Sequence, residues 1–382
     1  MTPSSRAIEV CSVFLKLGLT SFGGPVAHLG YLRREVVERR GWLGDEAYAD
    51  LVALCQLLPG PTSSQVVFGL GLRRAGVPGA LLASACFMLP SAVAMVAFAY
   101  GLGHAGDLRA SGWLHGLRLA AVAAVALAVS GMARSLCPDW PRRLLGAAAA
   151  GLVLLLPGTP SQVGAIAACA LAGRWALASR VQGPVAGPSP GGRAPAAACL
   201  LLFACLLLLL PVAARLSGSR VVEVFDSFYR SGALVFGGGH VVLPLLRSEV
   251  VPRGWTSDSV FLAGYGAAQA LPGPLFTFAA FLGTVILPGP LAWAGGALAL
   301  VAIFLPGWLL VLGIYPFWHG LRDRPWFQGA IQGANAAVVG ILFAALCRPV
   351  ASESIRGWGD GAAAVAALVL MSAARAPAWL VV

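Results

Sequence analysis

LVALCQLLPGPTSSQVVFGLGL, Leu51–Leu72, is an apolar run cut at its middle by Pro59-Gly60-Pro61. Proline lacks an amide hydrogen and its ring clashes with the turn before it, so two prolines around a glycine end one helix and start another. The break recurs 213 positions on, where Gln56, Leu58, Pro59, Gly60, Pro61 and Phe68 are answered by Gln269, Leu271, Pro272, Gly273, Pro274 and Phe281. Upstream the interval is 214: Phe14, Gly18, Phe22, Gly23, Gly24, Leu32, Glu35 and Val36 return as Phe228, Gly232, Phe236, Gly237, Gly238, Leu246, Glu249 and Val250. From Gly41, Trp42 and Asp45, which return as Gly254, Trp255 and Asp258, it is 213. Ordered identities with one single-residue shift define two homologous halves.

Composition names the solvent. Of 382 residues, 58% are hydrophobic and 11% charged, with a mean hydropathy of +0.82; soluble domains carry about 25% charge. The chain is therefore a polytopic membrane protein, and because backbone groups in lipid must be satisfied within each segment and period-2 alternation is absent, it is all-α. Apolar helices are predicted near 8–22, 45–58, 61–73, 78–103, 113–136, 142–156, 160–178, 194–214, 222–236, 257–271, 274–287, 290–316, 327–347 and 360–382. Several are too short to cross, and short Gly/Pro-interrupted segments at matching places of two halves mark broken or re-entrant half-helices of the kind that build transporter sites. Residues 1–178 form a first membrane repeat, 179–221 a linker with a connecting span, and 222–382 a second repeat. The repeats are expected to be inverted. Four arginines in Arg33–Arg40, against Arg247 and Arg253 in the counterpart, place the first stretch on the cytoplasmic side.

The net charge of +11 comes from 26 basic and 15 acidic residues, with Lys16 the lone lysine. Arginine pairs between apolar runs read as topology anchors rather than a nucleic-acid surface. The eight cysteines are scattered singly, with no ligand spacing, so neither a metal site nor a cofactor is expected. Met1–Arg6 has none of the marks of a cleaved leader. No phosphate loop is present, which excludes an ATP-driven pump within this chain, and no nucleophile–base set points to an enzyme.

The segment FLKLGLTSFGGPVAHLGYLRREVVERRGWL (Phe14–Leu43), the block QLLPGPTSSQ (Gln56–Gln65) and the echoes FGGGHVVLPLL (Phe236–Leu246) and QALPGP (Gln269–Pro274) resemble the chromate ion transporter family in its long two-repeat form. The resemblance extends over nearly the whole chain. It implies a multi-pass secondary transporter of the cytoplasmic (inner) membrane that exports chromate and confers chromate resistance, with sulfate as the structural analogue. Transport of sulfate or another oxyanion, and more remotely a membrane-embedded enzyme, stay open as alternatives. The partners are the anion and the lipid bilayer; a homodimer is compatible with the sequence but not required by it.

A helix N-terminus carries free N–H groups and about half a positive charge, which suits a tetrahedral dianion. Thr62, Ser63 and Ser64 after Pro61 add hydroxyls, whereas after Pro274 only Thr277 does. The candidate substrate residues are therefore Gln56, Pro59, Gly60, Pro61, Thr62, Ser63 and Ser64 in one half and Gln269, Pro272, Gly273, Pro274 and Thr277 in the other. Gly23, Gly24, Gly237 and Gly238 join them because they permit close backbone approach, to an ion or to a neighbouring helix. Lys16, matched by Arg230, supplies positive charge unless both snorkel to the interface. Arg118, with Asn335 near the matching place, is a further anion contact or an inter-helix residue. Glu35, Glu249, His28 and His240 are candidates for proton coupling; the alternative for Glu35 is a salt-bridged interfacial helix, through Glu35–Arg39 and Arg34–Glu38.

Overall fold

The architecture is that of a computed structural model, which describes residues 3–22, 24–104, 112–156, 159–177, 192–235, 242–321, 324–352, 355 and 357–372. Among them there are helices and no strands. In chain order these are α1 (Pro3–Thr20), α2 (Gly24–Arg33) running into a π-helical turn (Arg34–Arg39), α3 (Asp45–Leu57), α4 (Thr62–His104), α5 (Gly112–Leu136), α6 (Trp140–Leu155), α7 (Thr159–Ala176) and α8 (Arg193–Ser217). There follow α9 (Arg220–Leu234), α10 (Val242–Val250), α11 (Asp258–Ala270), a 3₁₀ turn (Leu275–Thr277), α12 (Phe278–Ile286), α13 (Ala292–Ile314), α14 (Trp318–Leu321), α15 (Pro325–Ala345) and α16 (Trp358–Ser372).

The helices gather into two compact bodies, and each body draws on both sequence halves. One holds α1–α3, α4 up to Tyr100, α8, α9 and the chain from Leu271 to Gly320; the other holds α5–α7, α10, α11, α15 and α16. Among the described residues, four helical stretches are long and apolar enough to cross a membrane: Thr62–Leu102, Arg193–Ser217, Ala292–Phe317 and Pro325–Arg348. They are buried to very different degrees. Only 6% of the apolar window of α8 is buried against 72% for α15, and α8 displays Leu201, Leu202, Leu208 and Leu209 outward. Water would not tolerate such a face on a solitary chain, whereas lipid is its ordinary surroundings.

Both predicted helices over 61–73 and 78–103 lie within α4, which bends where Ala75 and Gly76 leave helical geometry. Pro61 stands before the helix and Gly76 has φ +67°, so the sequence marks both points. Three of the described helices lie where no apolar span is predicted: the four-residue α14, and α2 and α10, which are ten and nine residues long with charged residues in their last turns. The Arg33–Arg39 stretch is accordingly helical, as the Glu35–Arg39 spacing suggests. Its π-helical turn coincides with the shift of the repeat interval: Val37 answers Val251 at 214 and Gly41 answers Gly254 at 213, and between them Glu38-Arg39-Arg40 stand against Pro252-Arg253, one residue more. One added residue in a helix is what a π-turn absorbs.

Close helix crossings recur at matched glycines of the two halves. A Cβ on Gly18 of α1 would lie 2.6 Å from the Phe87 carbonyl oxygen, and one on Gly232 of α9 would lie 2.1 Å from that of Ile303. In the second body, α15 meets α7 in the same way, where a Cβ on Gly333 would run into the Cys169 carbonyl. Small residues let backbones touch in lipid, where apolar burial alone does not drive helices together.

Candidate functional site

Both Pro-Gly-Pro breaks belong to the first body, and they are tied reciprocally. The Gly60 N–H donates to the Val235 carbonyl at 2.6 Å, and the Gly273 N–H donates to the Ser21 carbonyl at 2.9 Å. Ser21 and Val235 are themselves 214 apart, each directly before a Phe-Gly-Gly segment. Each break is thus held by the chain end that precedes the glycines of the other half. Packing repeats the exchange: a Cβ on Gly60 would meet the Gly307 Cα at 3.4 Å, and one on Gly273 would meet the Ser91 hydroxyl at 2.8 Å. Gly60 and Gly273 have φ of +123° and +97°, which only glycine adopts without strain.

Past the breaks the halves diverge. Pro61 leads straight into α4, whose first residues Thr62, Ser63, Ser64 and Gln65 are 7%, 3%, 1% and 1% exposed. An α-helix leaves its first amide hydrogens without partners inside the helix, so buried donors and hydroxyls concentrate here. Gln65 braces the break, its Nε2 donating to the Pro59 carbonyl at 2.7 Å. Pro274 instead leads into a 3₁₀ turn, and the buried Thr277 hydroxyl is spent on the Pro274 carbonyl at 2.8 Å. The first break presents a cluster of buried hydroxyls at a helix N-terminus, whereas the second is closed upon itself.

His28 of α2 connects the two breaks. Its Nε2 donates to the Ser21 carbonyl at 3.1 Å, the same oxygen that receives Gly273, and its Nδ1 lies 3.4 Å from Ser63 Oγ. A carbonyl only accepts, so the Nε2 proton is assigned by this bond, and in that tautomer Nδ1 accepts from the Ser63 hydroxyl. Phe87 packs edge-on against the imidazole, ring centres 5.6 Å apart.

The two matched cations have different fates. Lys16, 56% exposed, reaches Glu35 at 3.8 Å, whereas Arg230 is held within its own helix by Asp226 at 2.9 Å. Glu35 is 7% exposed and also takes Arg39 and Arg40. Burial by itself raises the Glu35 carboxyl, but the hydrogen bonds from Arg40 and Arg39 and the charges of Lys16 and Arg40 hold it below the ordinary carboxylate value. Arg40 also bonds Glu9, which receives Arg74 at 2.6 Å and the Trp42 indole at 3.2 Å. Arg34 is not the partner of Glu38; Arg33 is. Glu249 in the second body pairs with Arg253 at 3.0 Å.

Of the other candidates, Gly24 opens α2 with φ +78°, and Gln56 is exposed on α3 and does not enter the buried group. Gln269 and Asn335 lie in the second body, the former bonded to Tyr265 and the latter buried. Gly23, Gly237, Gly238 and His240 lie outside the described residues, as does the Arg118 side chain. Ser21, Val235, Asp226, Glu9 and Gly307 were not apparent as site residues. The first two carried a signal, the 214 interval, and Gly307 follows Pro306, which answers Pro90 at 216.

Fold and site together define a multi-pass helical membrane protein of two repeats whose helix breaks interlock. Residues 8–174 and 222–382 match the family model described as chromate transporter, and the chain belongs to that family. It is 31% identical to the chromate transport protein of Pseudomonas aeruginosa over 337 residues, 86% of this chain and 77% of that one. To a probable chromate transport protein of Synechococcus elongatus it is 27% identical over 368 residues, 90% and 84% of the two chains. An uncharacterized transporter of Methanocaldococcus jannaschii is 24% identical over 349 residues, 90% and 84%. No solved structure matches the chain.

Proposed function

We propose that this protein is a secondary transporter that exports chromate across the cytoplasmic membrane, with the anion held at the first turn of α4. The observation that carries the reading is the reciprocal tie between the two Pro-Gly-Pro breaks, in a chain whose relatives are named chromate transport proteins. The buried Thr62, Ser63 and Ser64 supply the donors, and the helix N-terminus the positive potential. Inverted repeats rocking about this point would give alternating access.

Energy supply needs no nucleotide. One charge crossing 100 mV is worth about 2.3 kcal/mol, so a dianion leaving a negative interior gains about 4.6 kcal/mol. At about 1.4 kcal/mol per decade this sustains roughly a thousandfold outward gradient. For proton coupling, His28 is the better placed candidate, since its ring touches Ser63 directly. Glu35, ringed by three cations, serves as a fixed charge, and Lys16 sets that ring's charge rather than reaching the anion.

The test is chromate flux into inverted vesicles under an imposed potential, with sulfate as competitor. Wild-type uptake should follow the potential, and Thr62→Ala should reduce it by about tenfold, while His28→Gln flattens its pH profile. Flux that ignores potential and pH gradient alike overturns the transport mechanism. Sulfate flux without chromate flux assigns the site to another oxyanion.

A further inference from the structure

An aromatic row runs between the two helix breaks, and one member of it has a polar atom left over. Phe68, on α4 beyond the first break, stacks on Trp308 of α13 at 5.9 Å and 15°. Trp308 stacks in turn on Phe304 at 6.2 Å and 21°, and Phe304 meets Phe276, two residues after Pro274, at 5.9 Å. Gly307, beside Trp308, packs on the Gln65 side chain that braces the first break.

Trp308 Nε1 is enclosed and meets no acceptor, and Ser64 Oγ, on a residue 1% exposed, meets no partner either. A buried indole N–H ordinarily finds an acceptor, and leaving one unpaired is costly. Interfacial anchoring does not account for it. Tryptophans of that kind sit at the ends of a span, whereas Trp308 lies well inside the Ala292–Phe317 stretch. Ser64 and Phe68 are four residues apart on one helix and share a face, so the hydroxyl is one turn from the ring stacked on Trp308. An indole only donates. Whatever completes it must bring a lone pair, and an oxyanion brings several at once to a place where a helix N-terminus already favours negative charge.

We propose that Trp308 Nε1 and Ser64 Oγ are hydrogen-bond donors to the transported oxyanion and set its affinity. The inference rests on the reading that the anion binds at the first turn of α4. It adds a donor from the second sequence half to a site otherwise built from the first, which makes occupancy of the site depend on α13 as well as α4.

The experiment uses the full-length protein in proteoliposomes, with chromate flux measured against concentration for wild type, Trp308→Phe, Ser64→Ala and Thr62→Ala. Phenylalanine keeps a ring between Phe68 and Phe304 and removes only the N–H. The expected result is a KM about tenfold higher for Trp308→Phe with maximal flux within about twofold, the loss that one hydrogen bond to a charged group predicts; Ser64→Ala should shift KM in the same direction. Unchanged KM in both variants, with Thr62→Ala impaired, overturns the donor assignment and leaves the α4 site standing. Normal kinetics in all three overturns both. A fall in maximal flux at constant KM makes Trp308 a packing residue only, which also overturns the assignment. Should Trp308→Phe fail to reconstitute, the KM of Ser64→Ala decides.

Discussion

The charged stretches after the two Phe-Gly-Gly segments begin alike and end differently. Arg33–Asp45 is repeated by Arg247–Asp258, and Glu35–Arg39 by Glu249–Arg253. A guanidinium lies over the tryptophan in both, Arg74 over Trp42 and Arg253 over Trp255. The first half has two arginines, Arg39 and Arg40, where the second has Arg253 alone, and Arg40 joins Glu35 to Glu9 and through it to Arg74 at the bend of α4. In the counterpart, Glu249 pairs with Arg253 one turn on. The first half's extra arginine thus ties the π-turn to α1 and to the bend of α4, so the repeats share a scaffold while the first adds a link of its own.

The strongest way to break this comparison is to attack what the halves share. Gly18→Ala and Gly232→Ala should each destabilise the protein in detergent by about 1–3 kcal/mol, Gly232 the more because its Cβ would come closer to a carbonyl. Thermal unfolding reads both, and tolerance of either would show that the crossing is not needed in that half. Next comes the difference itself. Arg40→Ala should cost about 1–2 kcal/mol, since it strips a partner from the nearly buried Glu35 while its own side chain is one-third exposed. Arg253→Ala, more exposed, should cost less than about 1 kcal/mol; equal losses would erase the asymmetry.

Acid sharpens the same contrast. Glu9, like Glu35, would be raised by burial but is held down by Arg74, Trp42 and Arg40. A carboxyl whose folded pKa is depressed stabilises fully above its unfolded value, and that contribution is lost as pH falls through the folded value. The unfolding midpoint should therefore drop on the acid side of the ordinary carboxylate range, and in Arg40→Ala the drop should begin at higher pH. An acid titration showing coincident curves would remove Arg40 from the network. The smallest effect, about 0.5–1 kcal/mol, is expected for Trp42→Phe, which loses the hydrogen bond to Glu9 and keeps a ring under Arg74; the same thermal measurement reads it.

Much of this was legible in the chain because proline and glycine act through local geometry. Pro59-Gly60-Pro61 must break a helix wherever it stands, and its recurrence as Pro272-Gly273-Pro274 announced a paired feature. Ion pairs were partly legible, since Glu35–Arg39 follows from helical spacing. Arg40–Glu9 does not, because its partners are 31 residues apart and meet only after α1 and the π-turn pack. Lys16 and Arg230 occupy one repeat position, yet Asp226, one turn back, holds the arginine while Lys16 reaches out to Glu35. Trp308 carried no motif; its significance is an unpaired N–H, which exists only once the ring is enclosed.

The sequence by itself determined the solvent, the helical class, the two repeats and the places where helices break, since each follows from composition, backbone chemistry or ordered identity. The tertiary structure decided which ends meet: that Gly60 binds the Val235 carbonyl and Gly273 that of Ser21, that His28 bridges them, and that the first break stays rich in donors while the second closes on Thr277. Those are contacts between residues distant along the chain, and their selection depends on packing of whole helices, which no local pattern encodes.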